Sequence, residues 1–193
     1  MKVKKSLKRC VMGLALLLVG TQSAHAHPHV FVDYQMKLVF DSQKMRGIQA
    51  HWQLDLMNSE LILDEFDKNK DGRITGTEAK EVAQSMRDNL KGFDYFTQIQ
   101  VNGHRIPVRS VENIRVGYQN KRITYDLYFP CAIPLSKQHK QLTVTPIDST
   151  NYVAFSPMKS RPVHVQAAKN TAVRVVSHPK QMYDSTRFTI ARK

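Results

Sequence analysis

Cysteine is scarce in this chain: there are 2 in 193 residues, Cys10 and Cys131, too few for the disulfide framework of a small secreted scaffold. Acids are also in short supply, 16 against 29 Lys and Arg, for a formal charge of +13. Nowhere does an apolar run reach the roughly 18 residues of a membrane-spanning helix. No glycine-rich phosphate loop, nucleophile elbow or His-Glu-x-x-His helix occurs. Their absence removes the usual sequence signatures of nucleotide, serine-hydrolase and zinc-protease chemistry, and the chain reads as a non-enzyme. Linkers rich in proline or glycine, internal repeats and low-complexity tracts are missing too. The 41% hydrophobic and 23% charged fractions are those of an ordinary globular protein, and the length suits one domain with a sizeable core, or at most two small ones.

The first segment has its own character. Lys2, Lys4, Lys5, Lys8 and Arg9 come with no acid, the apolar run from Val11 to Gly20 follows, and Ala24 and Ala26 stand third and first before a potential cut. This is the pattern of a secretory signal peptide, expected at residues 1–26 with cleavage after Ala26. Cleavage removes 5 bases and Cys10, leaving 167 residues with a charge of +8 and Cys131 alone. Cys131 lies in the apolar run Tyr128 to Ile133 and reads as a buried, inert thiol. Export argues against reading the basic surplus as a nucleic-acid surface. Solubility, acidic lipid headgroups or an acidic partner suit it better.

The mature chain alternates between strand and helix patterns. Val30, Val32, Tyr34, Met36, Leu38 and Phe40 repeat with a period of two, and Ile48, Ala50, Trp52, Leu54 and Leu56 do so again after a polar stretch. The spacing predicts a long antiparallel hairpin with one face on a core. A helix capped by Asn58 or Ser59 is expected through Phe66, and a second over 77–90, where Ala79, Val82, Ala83, Met86 and Leu90 fall at helical spacing. Asn102-Gly103 signals a tight hairpin, and short strand patterns recur up to Val176. The expected fold class is α+β: a single β-rich antiparallel domain over 27–178, with an EF-hand-like helix–loop–helix inserted at 58–91. Residues 179–193 read as a C-terminal tail.

The sharpest motif joins the two helices. In Asp67-Lys-Asn69-Lys-Asp71-Gly72-Arg73-Ile74-Thr75-Gly-Thr-Glu78 every place of the 12-residue calcium loop is filled. Asp67, Asn69 and Asp71 offer side-chain oxygens, Arg73 a backbone carbonyl, Thr75 a direct or water-borne oxygen, and Glu78 two at once. Lys68, Lys70 and Arg73 bring positive charge, and no second loop stands beside it. A weak or structural Ca²⁺ site, with a Kd of roughly 10⁻⁴–10⁻³ M, fits better than a sensor.

Cleavage after Ala26 makes His27-Pro28-His29 the new terminus. His27 then carries an α-amine and an imidazole, and His29 and Asp33 share its strand face. Imidazole and carboxylate donors suit Zn²⁺, Ni²⁺ or Cu²⁺. Pro28 has no backbone N–H, which excludes the full square-planar copper chelate through deprotonated amides. A hairpin folded symmetrically about Lys44 sets Asp33 opposite Asp55, a repulsive pair that favours an ion between them. In that register His51 stands about 27 Å from His29.

His27-Pro-His-Val-Phe-Val-Asp33, His51-Trp52 followed by Asp55, the Asp-rich loop, Phe93-Asp-Tyr-Phe96 and the stretch Asp148 to Phe155 together resemble a family of bacterial periplasmic proteins of unknown function. It is the domain-of-unknown-function 1007 family, similar to ZevA-type proteins that accompany nickel/cobalt-type permeases and are implicated in zinc utilisation. The resemblance implies periplasmic handling of zinc or nickel beside an inner-membrane permease. It points to His27, His29, Asp33, His51, Asp55 and Asp148 as the polar positions of interest. Met57 stands where the family often has an acid, and Ser149 where it has proline. The leading expectation is therefore a metal-handling accessory protein that delivers Zn²⁺ or Ni²⁺ to such a permease. The alternative is a calcium-braced structural or adaptor protein of the periplasm without a transition-metal role.

Overall fold

A computed structural model describes residues 28–193; the expected signal peptide and His27 lie outside them. The chain runs β1 (Val30–Phe40), β2 (Lys44–Leu54), α1 (Leu56–Phe66), α2 (Gly76–Leu90), a 3₁₀ segment (Lys91–Phe96), β3 (Thr97–Val101) and β4 (His104–Ile106). It continues with β5 (Glu112–Gln119), β6 (Arg122–Pro134), β7 (Lys140–Pro146), β8 (Val153–Pro157), β9 (Val163–Gln166), β10 (Thr171–Ser177) and β11 (Thr186–Arg192). Two sheets result, β5-β6-β2-β1-β8 with β9 further along β1, and β10-β11-β7-β3-β4. The fold is mostly β-sheet with two helices. The expected antiparallel pairing holds except that β8 and β9 both run parallel to β1.

The period-two pattern places the core. Val32, Tyr34, Met36, Leu38 and Phe40 of β1 are buried, as are Ile48, Ala50, Trp52 and Leu54 of β2, so each strand turns one face inward. Ile123, Tyr125, Leu127 and Phe129 of β6 continue that face. Ile99, Leu142, Val144, Phe188 and Ile190 from the second sheet join the same buried cluster. Trp52, Phe96, Phe129 and Phe155 meet at its centre, with Phe155 edge-on to Trp52 at 5.1 Å. Cys131 belongs to the same buried cluster, and burial pushes its thiol pKa up to about 12.

The first hairpin is tighter than symmetry about Lys44 predicts. Asp41 Oδ1 accepts the N–H groups of Gln43 (2.7 Å) and Lys44 (2.8 Å), which closes the turn one residue early. Asp33 consequently faces Gln53, and His51 faces Gln35. The repulsive Asp33–Asp55 pair does not form. The second hairpin follows expectation: Asn102 and Gly103 have φ of 50° and 82° between β3 and β4, the positive values a two-residue I′ turn requires.

Two boundaries need correction. Helix α1 begins at Leu56 with Asp55 as its cap, three residues before the expected start, because the Asp55 carboxylate reaches the Asn58 N–H at 2.9 Å. The expected tail at 179–193 contains β11, inserted between β10 and β7 with Phe188 and Ile190 at 0% exposure. The β-rich domain therefore extends past residue 178. Only two large apolar side chains carry the alternation there, which made the strand inconspicuous.

Candidate functional site

The loop between α1 and α2 is closed by hydrogen bonds among its own residues. Asp67 Oδ2 accepts the Gly72 N–H at 2.8 Å and its Oδ1 the Asp71 N–H at 3.2 Å. Asn69 Oδ1 takes the Asp71 N–H at 2.9 Å, while its amide donates to Asp71 Oδ2 at 3.0 Å. Glu78, mostly buried at the start of α2, accepts from Lys68 (3.1 Å), Asn69 (3.3 Å) and Thr75 (3.3 Å). Gly72 has φ of +74°, a turn that favours glycine. Ile74, 2% exposed, pins the loop to the core beside Val82. Lys68 is drawn away to Glu81 on α2, and Arg73 stays exposed. The oxygens of Asp67, Asn69, Asp71 and Glu78 thus belong to one self-contained turn.

The second candidate set is dispersed. His27 lies outside the described residues. His29 is exposed, its ring tilted against Tyr152 with centroids 5.1 Å apart. Its backbone is fixed on both sides: the N–H donates to Tyr152 O at 2.8 Å and the carbonyl accepts Asn58 Nδ2 at 2.9 Å. Asp33 pairs with Arg122 Nη2 at 2.9 Å; the same guanidinium also holds Gln53 Oε1 and the Leu54 carbonyl. His51 Nδ1 meets Asp126 Oδ1 at 2.7 Å across the β2–β6 pair. This contact leaves Nε2 without a protein partner among the described residues, and His51 lines a groove together with Lys37, Gln49 and Arg115.

Asp55 and Asp148 have structural duties. Besides capping α1, Asp55 Oδ2 accepts the Phe31 N–H at 2.8 Å and Asn58 Nδ2 at 2.9 Å. Partial burial alone raises its pKa, but these N–H donors outweigh it and hold the carboxyl below the usual carboxylate range. Asp148 is 1% exposed and gathers four donors: Thr150 N–H (2.8 Å) and Oγ1 (2.7 Å), Tyr152 N–H (3.1 Å) and Val153 N–H (2.9 Å). It shapes the turn into β8. Met57 sits on the outer side of α1, largely exposed.

These polar positions do not converge. His29 lies six positions before Gln35, the partner of His51, about 20 Å along a strand. Among the described residues no three His, Cys, Asp or Glu side chains gather around one point. Sequence reasoning missed Asp126 and Arg122, which pair with His51 and Asp33 through the β2–β6 and β1–β2 registers. The polar alternation of Thr124, Asp126 and Tyr128 in the sequence was the available signal, and without a register it named no partner.

A family model described as a protein of unknown function, DUF1007, matches residues 12–188. The chain belongs to that family. The match takes in both sheets, the two helices and β11 as far as Phe188. No curated protein matches the chain.

Proposed function

We propose that this DUF1007 protein is an exported, non-enzymatic metal-handling accessory of the periplasm, which takes up Zn²⁺ or Ni²⁺ at its cleaved terminus and passes it to an inner-membrane permease of the nickel/cobalt type. The observation that carries the proposal is the state of His29. Its backbone is clamped by Tyr152 and Asn58 while its imidazole stays on the surface, directly after His27 and Pro28. A terminal amine and two imidazoles make a site with few ligands, open on one side. Such a site holds an ion and releases it to a partner that completes the coordination. His51, oriented by Asp126, is a separate imidazole with the carboxylate support typical of metal-ligating histidines. The test is competition against a chromophoric zinc indicator, using protein that begins at His27. Micromolar binding that His29→Ala removes and His51→Ala spares supports the terminal site. Equal binding by wild type and His29→Ala overturns it.

The loop from Asp67 to Glu78 favours a second reading, in which Ca²⁺ braces a structural or adaptor domain. Its support is the hydrogen bonding of Asp67, Asn69, Asp71 and Glu78 within one 12-residue turn between two helices. Thermal unfolding separates the readings. A midpoint raised by calcium and indifferent to zinc and nickel favours the brace alone; no response to calcium removes it.

A further inference from the structure

Helices α1 and α2 and the inner face of the larger sheet enclose an apolar cavity of about 340 Å³, open on one side. Trp52, Phe66, Met86, Phe96 and Phe155 supply much of its wall, and the polar groups at it come from the helices: Asn58, Glu65, Ser85 and Asn89. Its size falls within the roughly 300–1,000 Å³ of sites that take a ligand or a buried anchor. The surface beside it is apolar as well. Leu61 lines the cavity yet is 58% exposed, and Met57, one turn earlier, is 60% exposed. Leu56 and Phe31 are also exposed nearby, Phe31 being tied to the start of α1 through Asp55.

Charge sharpens the picture. Met57, Glu60, Leu61 and Asp64 follow one another at i, i+3, i+4 and i+7, so apolar and acidic side chains alternate along one exposed ridge. Glu65 adds a further acid at the cavity. Helix α1 holds no Lys or Arg, in a chain whose formal charge is +13. Exposed apolar groups around a cavity mark an interaction surface. A small hydrophobe inside it would leave Met57, Leu56 and Phe31 uncovered, and an anionic bilayer is repelled by this helix.

We propose that the ridge and cavity dock a cationic amphipathic helix of another protein. An apolar side chain of that helix enters the cavity beside Leu61, and flanking Lys or Arg meet Glu60, Asp64 and Glu65, which is the helix-in-groove mode of recognition. The surface is complete without a metal at the terminus, so it stands or falls independently of metal handling.

The probe is a labelled Leu/Lys amphipathic peptide of about four helical turns, with a Leu/Glu peptide of the same apolar pattern as control. Fluorescence anisotropy is followed with the full mature chain at about 0.05 M and about 0.5 M salt. The Leu/Lys peptide is expected to bind, the Leu/Glu peptide to fail, and the higher salt to weaken binding by about tenfold or more. Leu61→Asp and the triple change Glu60→Gln, Asp64→Asn and Glu65→Gln alter exposed side chains. Circular dichroism should therefore be unchanged, while each variant loses about tenfold or more in affinity, and the triple one also loses the salt dependence. Equal binding of both peptides, or unchanged affinity in either variant, overturns the proposal. So does laurate binding that excludes the peptide, which would mean a small-molecule pocket. Self-association lost in Leu61→Asp with no peptide bound would assign the face to a second copy instead.

Discussion

The two regions where this chain collects metal-type donors are built on opposite principles. The loop from Asp67 to Glu78 draws every polar side chain from 12 consecutive residues, and its own backbone N–H groups hold the Asp67 and Glu78 carboxylates. His29, Asp33, His51, Asp55 and Asp148 come from β1, β2, a helix cap and the turn before β8. Each is engaged with a different neighbour: Tyr152, Arg122, Asp126, Asn58 and Val153. A local motif carries its geometry with it, whereas a dispersed set acquires geometry only from the register of the sheet. Here the register separates its members. Carboxylates that look alike in sequence thus divide into those that close a local turn and those that tie strands and a helix cap together.

The largest expected effect sharpens that division at Asp148. Replacing it by alanine leaves several buried donors unsatisfied and should cost about 3 kcal/mol or more in urea unfolding. The loss should be the same with and without zinc; a zinc-dependent difference would return Asp148 to the list of ligands. Next comes the loop. At Ca²⁺ about 100-fold above its Kd, stabilisation of about 2.7 kcal/mol is expected, and Glu78→Gln should abolish most of it in the same melting experiment.

Asp55→Ala removes the cap of α1 and the acceptor for Phe31 N–H, for about 2 kcal/mol. Because the folded-state pKa of Asp55 is depressed, its contribution is present above the ordinary carboxylate value of about 3.9 and is lost as pH falls through the folded value. Denaturation midpoints between about pH 6 and pH 3 should therefore converge for wild type and variant at the acid end. The smallest effect belongs to the exposed pair at His51. His51→Gln should change stability by less than about 1 kcal/mol, and a larger loss would mean that Asp126 and His51 support the sheet.

Much of the larger sheet was legible in advance. The alternations in β1 and β2, the helical spacing of α2 and the Asn102-Gly103 turn each follow from side-chain period or backbone preference, which act within a few residues. The hairpin register was not legible, since the Asp41 carboxylate shortens a turn that symmetry alone would centre on Lys44. Strand β11 was missed because Phe188 and Ile190 are its only large buried side chains, and its strand character depends on β10 and β7 lying on either side. At the candidate site, the place of the loop between two helices could be read. The duties of Asp55 and Asp148 could not, because their donors are backbone N–H groups that no residue type announces.

The most direct test of metal handling is a calorimetric titration of mature protein, purified so that His27 is the true terminus, with Zn²⁺ and Ni²⁺ in saturating Ca²⁺. It should be run beside a form carrying one added N-terminal residue. Binding that the added residue abolishes is the expected result, since it displaces the His27 amine from the site. Binding unaffected by the added residue, or absent from both forms, would contradict a metal site at the cleaved terminus.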